Sequence, residues 1–398
     1  MIAFEEAISL VLDTCKGFGV EQVPLKESFG RVLAEDIFAD RDFPPFHRAT
    51  KDGIAINYDA ITKSLEEFRI IDIAAAGSPQ KELLDFSCCI EIMTGAVLPL
   101  SADTVIMYEH LKIKGEDAVV QKPVKKGQNI HRKGSDEPKG TTVLKVGKKI
   151  TAAEIGVLAS VGKSEVLVKK NPKVCLVSTG DELVDVIETP MAHQIRKSNV
   201  HTIEATLLRE GIRSESVHIK DDKEITKSKL IQLLNNFDVL LLSGGVSKGK
   251  YDYLPEVLED IGVEKVFHKV KQRPGKPFWF GQHKEKEVTV FAFPGNPAST
   301  FANYHVYFIP WLNKCLGLST IEFTVILEEA FENSTDLTRF IRAKARIVAG
   351  KLKCNLILGN GSGDLTSLSK ANGFVLLKSN KEYKSGAIVP FIATRSIL

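Results

Sequence analysis

The chain has 398 residues, 43% hydrophobic and 26% charged, the balance of a soluble globular protein of about two to four domains. A net charge of +3 is too small to mark a nucleic-acid footprint, and no apolar run reaches the roughly 18 residues of a membrane span. The six cysteines are scattered, without C-x-x-C or zinc-like spacing, which points to buried reduced thiols. The opening stretch MIAFEEAISLVLDTC lacks the basic start and cleavage site of a signal peptide, so a cytoplasmic protein is expected.

In chain order, Phe4, Ala7, Ile8, Val11 and Leu12 recur at helical spacing, and Gly17 and Gly19 end that helix. Residues 21–39 read as a short strand, a turn and a further strand or helix. In RDFPPFHRATKDGIAI, residues 41–56, Pro44 and Pro45 stiffen an extended run. Asp52-Gly53 is a turn signal before the strand IAIN. His47, Arg48, Lys51 and Asp52 form a dense polar loop that Phe43 and Phe46 would pin to a body. Short β-rich runs fill residues 68–125, with a Thr94-Gly95 turn, and suggest a small barrel-like or β-rich domain. Its loops carry Asn129, His131, Arg132, Lys133, Ser135 and Asp136. The histidines have no obvious partner in the sequence. From Thr151 a helix opens with a capping box to Glu154 and closes at Gly162. The pieces flanking the β-rich segment would pack together and make it an insertion.

Residues 171–317 alternate strands and helices, which implies an α/β domain on a parallel sheet. VCLVST is a strand. SNVHTIEATLLREG is a helix with its N-cap at Ser198 or Asn199. ITKSKLIQLLNNF is another helix. DVLLLSGGVSKGKYDY combines a buried strand, Val239 to Ser243, with a loop carrying Gly244, Gly245 and Gly249. A helix from Tyr251 to Ile261 follows. Strand, glycine loop and helix have the form of an anion-binding turn, in which Ser247 would donate a hydroxyl and Asp252 would hold a cation. A plain strand-to-helix connection has the same composition. Ligands of such sheets bind at the carboxyl ends of strands, so the loops Ser178–Glu182, Ser243–Asp252 and Pro294–Ser299 are expected to converge. Residues 318–398 turn β-rich again and read as a separate small domain.

The carboxylates Asp181, Glu182 and Asp252 beside phosphate-binding glycines suggest Mg²⁺. The turn KVKQRPGKP offers Lys269, Lys271, Arg273 and Lys276 to an anion, and its prolines make it too rigid for a casual hairpin. No Ser/His/Asp order, Walker loop or dinucleotide G-x-G-x-x-G is present.

Nine motifs then stand together in order: PPFHRATKDGIAI, IMTGAVLP, NIHRKGSD, AEIGVLASVG, VSTGDEL, SGGVSKGKYDY, FHKVKQRPGKP, FPGNPAS and GSGDLTSLSKANG. In these the chain resembles the molybdopterin molybdenumtransferase family and the matching E domain of gephyrin. The resemblance implies a homodimer of four-domain subunits. It implies a discontinuous mixed α+β domain (1–43 and 139–170) and an inserted β-rich domain (44–138). It also implies an α/β molybdopterin-binding domain (171–317) and a C-terminal β barrel (318–398). The implied reaction joins molybdate to adenylylated molybdopterin and releases AMP, with Mg²⁺ or a similar cation.

Carried over by motif, Asp52, Thr94, Asp136, Glu182 and Asp252 would serve catalysis, and Glu182 and Asp252 the metal. Ser178, Thr179, Gly180, Ser243, Gly244, Gly245, Ser247, Pro294, Gly295 and Asn296 would bind the pterin nucleotide. Arg273, Lys276, Ser299, Arg342 and Ser362 would form the molybdate pocket, since an oxyanion needs donors without competing acceptors. The chain departs from the family at Arg273, where Lys is common, and at Lys197, where an acid is frequent. It departs again at Lys51-Asp52-Gly53, for M-D-G, and at Ala96-Val97-Leu98-Pro99, for A-P-V-P. Two other readings remain open. One is a molybdopterin adenylyltransferase, which shares the α/β domain and is also a possible partner enzyme. The other is a non-enzymatic scaffold.

Overall fold

The structure, a computed structural model, describes residues 1–246, 253–319 and 321–397. Contacts divide the chain into two units. Unit 1 comprises residues 1–22, 30–32 and 167–398, and unit 2 comprises residues 23–29 and 33–166.

The first helix, α1 (Phe4–Asp13), belongs to unit 1. It buries Ala7 and Val11 against an aromatic core, with Phe4 set edge-on to Phe340 at 5.1 Å.

Unit 2 is built on a curled six-stranded sheet of β1 (Gly53–Ile56), β2 (Glu67–Ala74), β3 (Cys88–Ile92), β4 (Thr104–Met107), β5 (Leu111–Lys114) and β6 (Asp117–Val120). The strand order is β4-β1-β3-β2-β6-β5. Alternate residues of β1 face opposite sides: Ala55 joins one buried cluster, and Ile54 and Ile56 join another. Residues 33–39 and 141–148 run side by side through bonds such as Leu33 N–H to Lys148 O (2.9 Å) and Ala39 N–H to Thr141 O (2.9 Å). Residues 33–39 and 141–148, which precede and follow the sheet in sequence, are joined there. Helix α2 (Ala152–Ser160) carries the capping box read in the sequence. Thr151 Oγ1 accepts from the Ala153 N–H, and the Thr151 N–H donates to Glu154 Oε2 at 2.9 Å.

Unit 1 carries the α/β sheet of β7 (Val174–Thr179), β8 (Ser214–Ile219), β9 (Val239–Ser243), β10 (Glu264–His268), β11 (Trp279–His283) and β12 (Val288–Phe293). Their order is β8-β7-β9-β12-β11-β10. The first four in that order are parallel; β10 and β11 join antiparallel. No helix separates β10 from β11, so the chain returns antiparallel there. Val174, Leu176, Val239 and Leu241 face one core, and Cys175, Val177, Leu240 and Leu242 face the other. Burial on both faces explains why these strands read as unbroken apolar runs.

The connecting helices are α3 (Asn199–Arg209), α4 (Lys223–Leu234), α5 (Leu254–Asp260), α6 (Pro297–Asn303) and α7 (Ile309–Cys315). Helix α5 starts at Leu254, with Pro255 in its first turn; Tyr251, where the helix is expected to open, lies outside the described residues. Between α6 and α7 the backbone widens into a π turn over Tyr304–Phe308. Pro310 follows it and has no N–H for an ordinary helical bond, so a local change of pitch lets the helix run on.

The C-terminal strands β13 (Phe323–Leu327), β14 (Thr338–Val348), β15 (Lys351–Leu356), β16 (Gly373–Leu377) and β17 (Ile388–Ala393) close a five-stranded barrel. Their order is β14-β15-β13-β17-β16, with β16 returning to β14. Gln272 and Arg273 add a short parallel stretch to β14, in register with Thr338 and Arg339.

Candidate functional site

The carboxyl ends of β7, β9 and β12 open into one cavity of about 490 Å³. Ser178, Thr179, Gly180, Glu182, Ser243, Gly244, Gly245, Pro294, Gly295 and Asn296 all line it, so the three loops converge as expected. Ser247 and Asp252 lie outside the described residues.

Local chemistry shapes this wall. Thr179 is buried, and its Oγ1 has no hydrogen-bond partner among the described residues. Gly244 has φ +106°, and a Cβ there would stand 2.8 Å from the backbone O and Oγ1 of Thr179. Ser178 Oγ meets His218 Nδ1 at 3.0 Å. Burial, and then the charge of Lys197, hold the His218 pKa below its ordinary value. Lys197 itself pairs with Asp185 at 3.1 Å.

Helix α3 starts at the same cavity. Ser198 is its N-cap residue but makes no side-chain cap bond. Asn199 instead donates its amide to Ser243 Oγ (2.8 Å) and to the Gly295 carbonyl (2.7 Å). The residue that reads as a cap is a tether between two of the converging loops. Asp221, absent from the sequence expectation, also lines the cavity.

A second cavity, of about 300 Å³, adjoins the first, and Pro294 and Asn296 line both. It gathers Arg273, Lys276, Ser299, Arg342 and Ser362, the whole set expected for an oxyanion, and adds Arg339. The RPGK turn is held from beneath by buried amides. Gln272 donates to the Pro274 carbonyl (3.0 Å) and to Asn303 Oδ1 (2.7 Å), and it accepts from the Tyr307 hydroxyl. Asn303 Nδ2 reaches the Gly275 carbonyl at 3.3 Å. Gly275 has φ +88°, and a Cβ there would overlap the Asn303 amide.

Opposite the turn, Arg342 donates to Ser367 Oγ and to the Asp364 carbonyl (3.2 Å). Asp364 accepts from the Asn360 N–H (3.1 Å) and the Ser367 N–H (3.1 Å). These bonds lower its pKa to about 2. Asn296 Nδ2 donates to Ser362 Oγ (3.0 Å), and the Ala298 N–H to the Ser362 carbonyl (3.0 Å). Those two bonds fasten the barrel loop to the PGNP loop. Among the described residues, no carboxylate pairs with Arg273, Lys276 or Arg339.

The remaining expected residues belong to unit 2. Asp52 Oδ1 accepts from the Thr94 N–H at 2.6 Å, and this bond, helped by the Thr94 hydroxyl, lowers the Asp52 pKa. Asp136 Oδ1 meets His131 Nε2 at 2.7 Å, and His131 Nδ1 faces Arg48 Nη2 at 3.1 Å. An arginine can only donate, so Nδ1 is the acceptor and Nε2 carries the proton given to Asp136. The partners that the sequence hid from His131 lie 5 and 83 positions away.

A strand-end cradle beside a cationic pocket completed by a β barrel makes an α/β protein built to hold anionic ligands. Three family models match the chain. "MoeA N-terminal region (domain I and II)" matches residues 2–162, "Probable molybdopterin binding domain" matches residues 175–314, and "MoeA C-terminal region (domain IV)" matches residues 324–394. The molybdopterin molybdenumtransferase of Synechocystis is 34% identical over 398 residues, covering 99% of this chain and 100% of that protein. The one from Staphylococcus epidermidis is 32% identical over 404 residues, covering 99% and 96%. The crystal structure of the molybdopterin biosynthesis MoeA protein from Pyrococcus horikoshii superposes with a TM-score of 0.83 at 29% identity, covering 100% of both chains. The chain belongs to the molybdopterin molybdenumtransferase family, transferases of molybdenum cofactor biosynthesis.

Proposed function

We propose that this chain inserts molybdate into adenylylated molybdopterin and releases AMP, with Mg²⁺ serving the reaction. The observation that carries the reading is the meeting of two unlike cavities at Pro294 and Asn296. The strand-end cavity, with its glycines, hydroxyls and the start of α3, suits the phosphates of a pterin nucleotide. The cationic cavity suits molybdate, an oxyanion that only accepts hydrogen bonds. Arg273, Lys276 and Arg342 supply charge, and Ser299 and Ser362 supply hydroxyls. Hydrolysis of the phosphoanhydride consumes one water and frees AMP. Asp52, Thr94 and Asp136 are assigned to catalysis by the motifs that carry them, and the Thr94 N–H holds Asp52.

Glu182 and Asp221 both line the strand-end cavity, and a Mg²⁺ shared with substrate phosphate needs only one or two protein carboxylates. These residues fit such an ion, together with Asp252 from the sequence. The ion would neutralise phosphate charge. Among the described residues no group of three or more His, Cys, Asp or Glu is arranged to hold a metal alone. A homodimer in the cytoplasm belongs to the same proposal. No helix among the described residues is long and apolar enough to cross a membrane.

The test is AMP release from adenylylated molybdopterin with Mg²⁺, with and without molybdate. Molybdate-dependent release is expected, and sedimentation at twice the chain mass. Tight nucleotide binding without release would overturn the enzyme reading in favour of a scaffold. ATP turnover with free molybdopterin would move the activity to adenylyl transfer.

A further inference from the structure

The cationic cavity has an imbalance that the five expected residues do not account for. Arg273 and Arg339 are register partners in the short parallel pairing between the RPGK turn and β14. Both line the cavity. Like charges placed opposite one another on paired strands destabilise the pairing. Arg273 is the charge that, after burial, holds the Arg339 pKa below its ordinary value. The Arg339 guanidinium lies over the Phe331 ring at 5.7 Å, which fixes its stem without neutralising it. Arg342 differs: the Asp364 charge stands near it, and Ser367 and two carbonyls take its protons. The charge imbalance is therefore concentrated at Arg273, Lys276 and Arg339.

We infer that Arg339 is a further oxyanion-binding residue of this cavity and sets its preference for doubly charged over singly charged tetrahedral anions. The inference rests on the reading of this cavity as the molybdate site. A dianion offsets the Arg273–Arg339 repulsion more fully than a monoanion does. Coulomb energy scales with the ligand's charge, so losing one fixed cation changes the logarithm of dianion affinity about twice as much as that of a monoanion.

The experiment is calorimetric titration of the full chain with molybdate and with perrhenate, a singly charged tetrahedral oxyanion. The chains are the unaltered one, Arg339→Gln, Arg339→Lys and Lys276→Ala. Arg339→Gln is expected to weaken molybdate roughly tenfold and perrhenate roughly threefold. Arg339→Lys keeps the ratio of the two affinities. Without anion, Arg339→Gln melts at or above the temperature of the unaltered chain, because a repulsion has been removed. Equal losses for both anions, or none, while Lys276→Ala abolishes binding, would overturn the role of Arg339 and leave the cavity reading intact. Molybdate binding untouched by Lys276→Ala and by Arg339→Gln would overturn the cavity reading, and this inference with it.

Discussion

The two adjoining cavities of unit 1 share Pro294 and Asn296 yet are made of different materials. The strand-end cavity mixes serine and threonine hydroxyls, asparagines and glycine backbone with charges of both signs, Glu182, Asp221, Arg196 and Lys197. The other presents three arginines and a lysine. A cradle of mixed donors and charges of both signs can follow a large ligand with spread charge, because its contacts are many and the glycines permit close approach. A small, dense anion offers few contacts, so its binding depends on full charges held in place. On the proposed function, the difference lets one loop, PGNP, serve two ligands of unlike size.

The comparison can be broken most severely at Arg342. Arg342→Ala removes a cavity cation and leaves the Ser367 hydroxyl and two carbonyls without their donor. Molybdate affinity by calorimetry should fall on the order of a hundredfold, with nucleotide affinity nearly unchanged. Gly275→Ala attacks the support instead. Its φ of +88° and the overlap with Asn303 should destabilise the fold by about 2–4 kcal/mol, read as a lower urea midpoint. Gly244→Ala is the mirror test: a Cβ 2.8 Å from Thr179 should weaken pterin-nucleotide binding roughly tenfold and leave molybdate binding within about twofold. A matched loss of both ligands would show that the cavities do not act separately.

The smallest effect is a pH dependence. The Asp364 pKa is lowered to about 2, chiefly by the Asn360 and Ser367 N–H bonds, from an ordinary 3.8. A depressed carboxyl stabilises the fold above its ordinary pKa, and that stability is lost as pH falls from about 4 towards 2. Asp364→Asn should therefore lower the urea midpoint at pH 6 and match the unaltered chain near pH 2.

Much of this architecture is legible in the residues. Doubly buried strands announce themselves as unbroken apolar runs, as at Val239–Ser243, and Thr151 with Glu154 marks a helix start from spacing alone. What stays hidden is long-range. Arg339 joins Arg273 only because residues 272 and 273 leave their own sheet to pair with the barrel. Asn199 has the composition of a cap, and only the convergence of β9 and the PGNP loop turns its amide outward as a tether. His131 is anonymous until Arg48 lies opposite it across an antiparallel pair. Sequence periodicity reports which face is buried, and says nothing about which distant loop completes it.

The amide network under the RPGK turn also constrains how this chain can diverge. Gln272, Asn303 and Tyr307 satisfy one another where water does not reach. Changing one strands a buried polar group on its neighbours, whereas changing all three to well-packed apolar residues need not. Their effects are thus far from additive. Drift at these positions has to be concerted, so a relative that replaces Gln272 should carry matched replacements 31 and 35 residues further on.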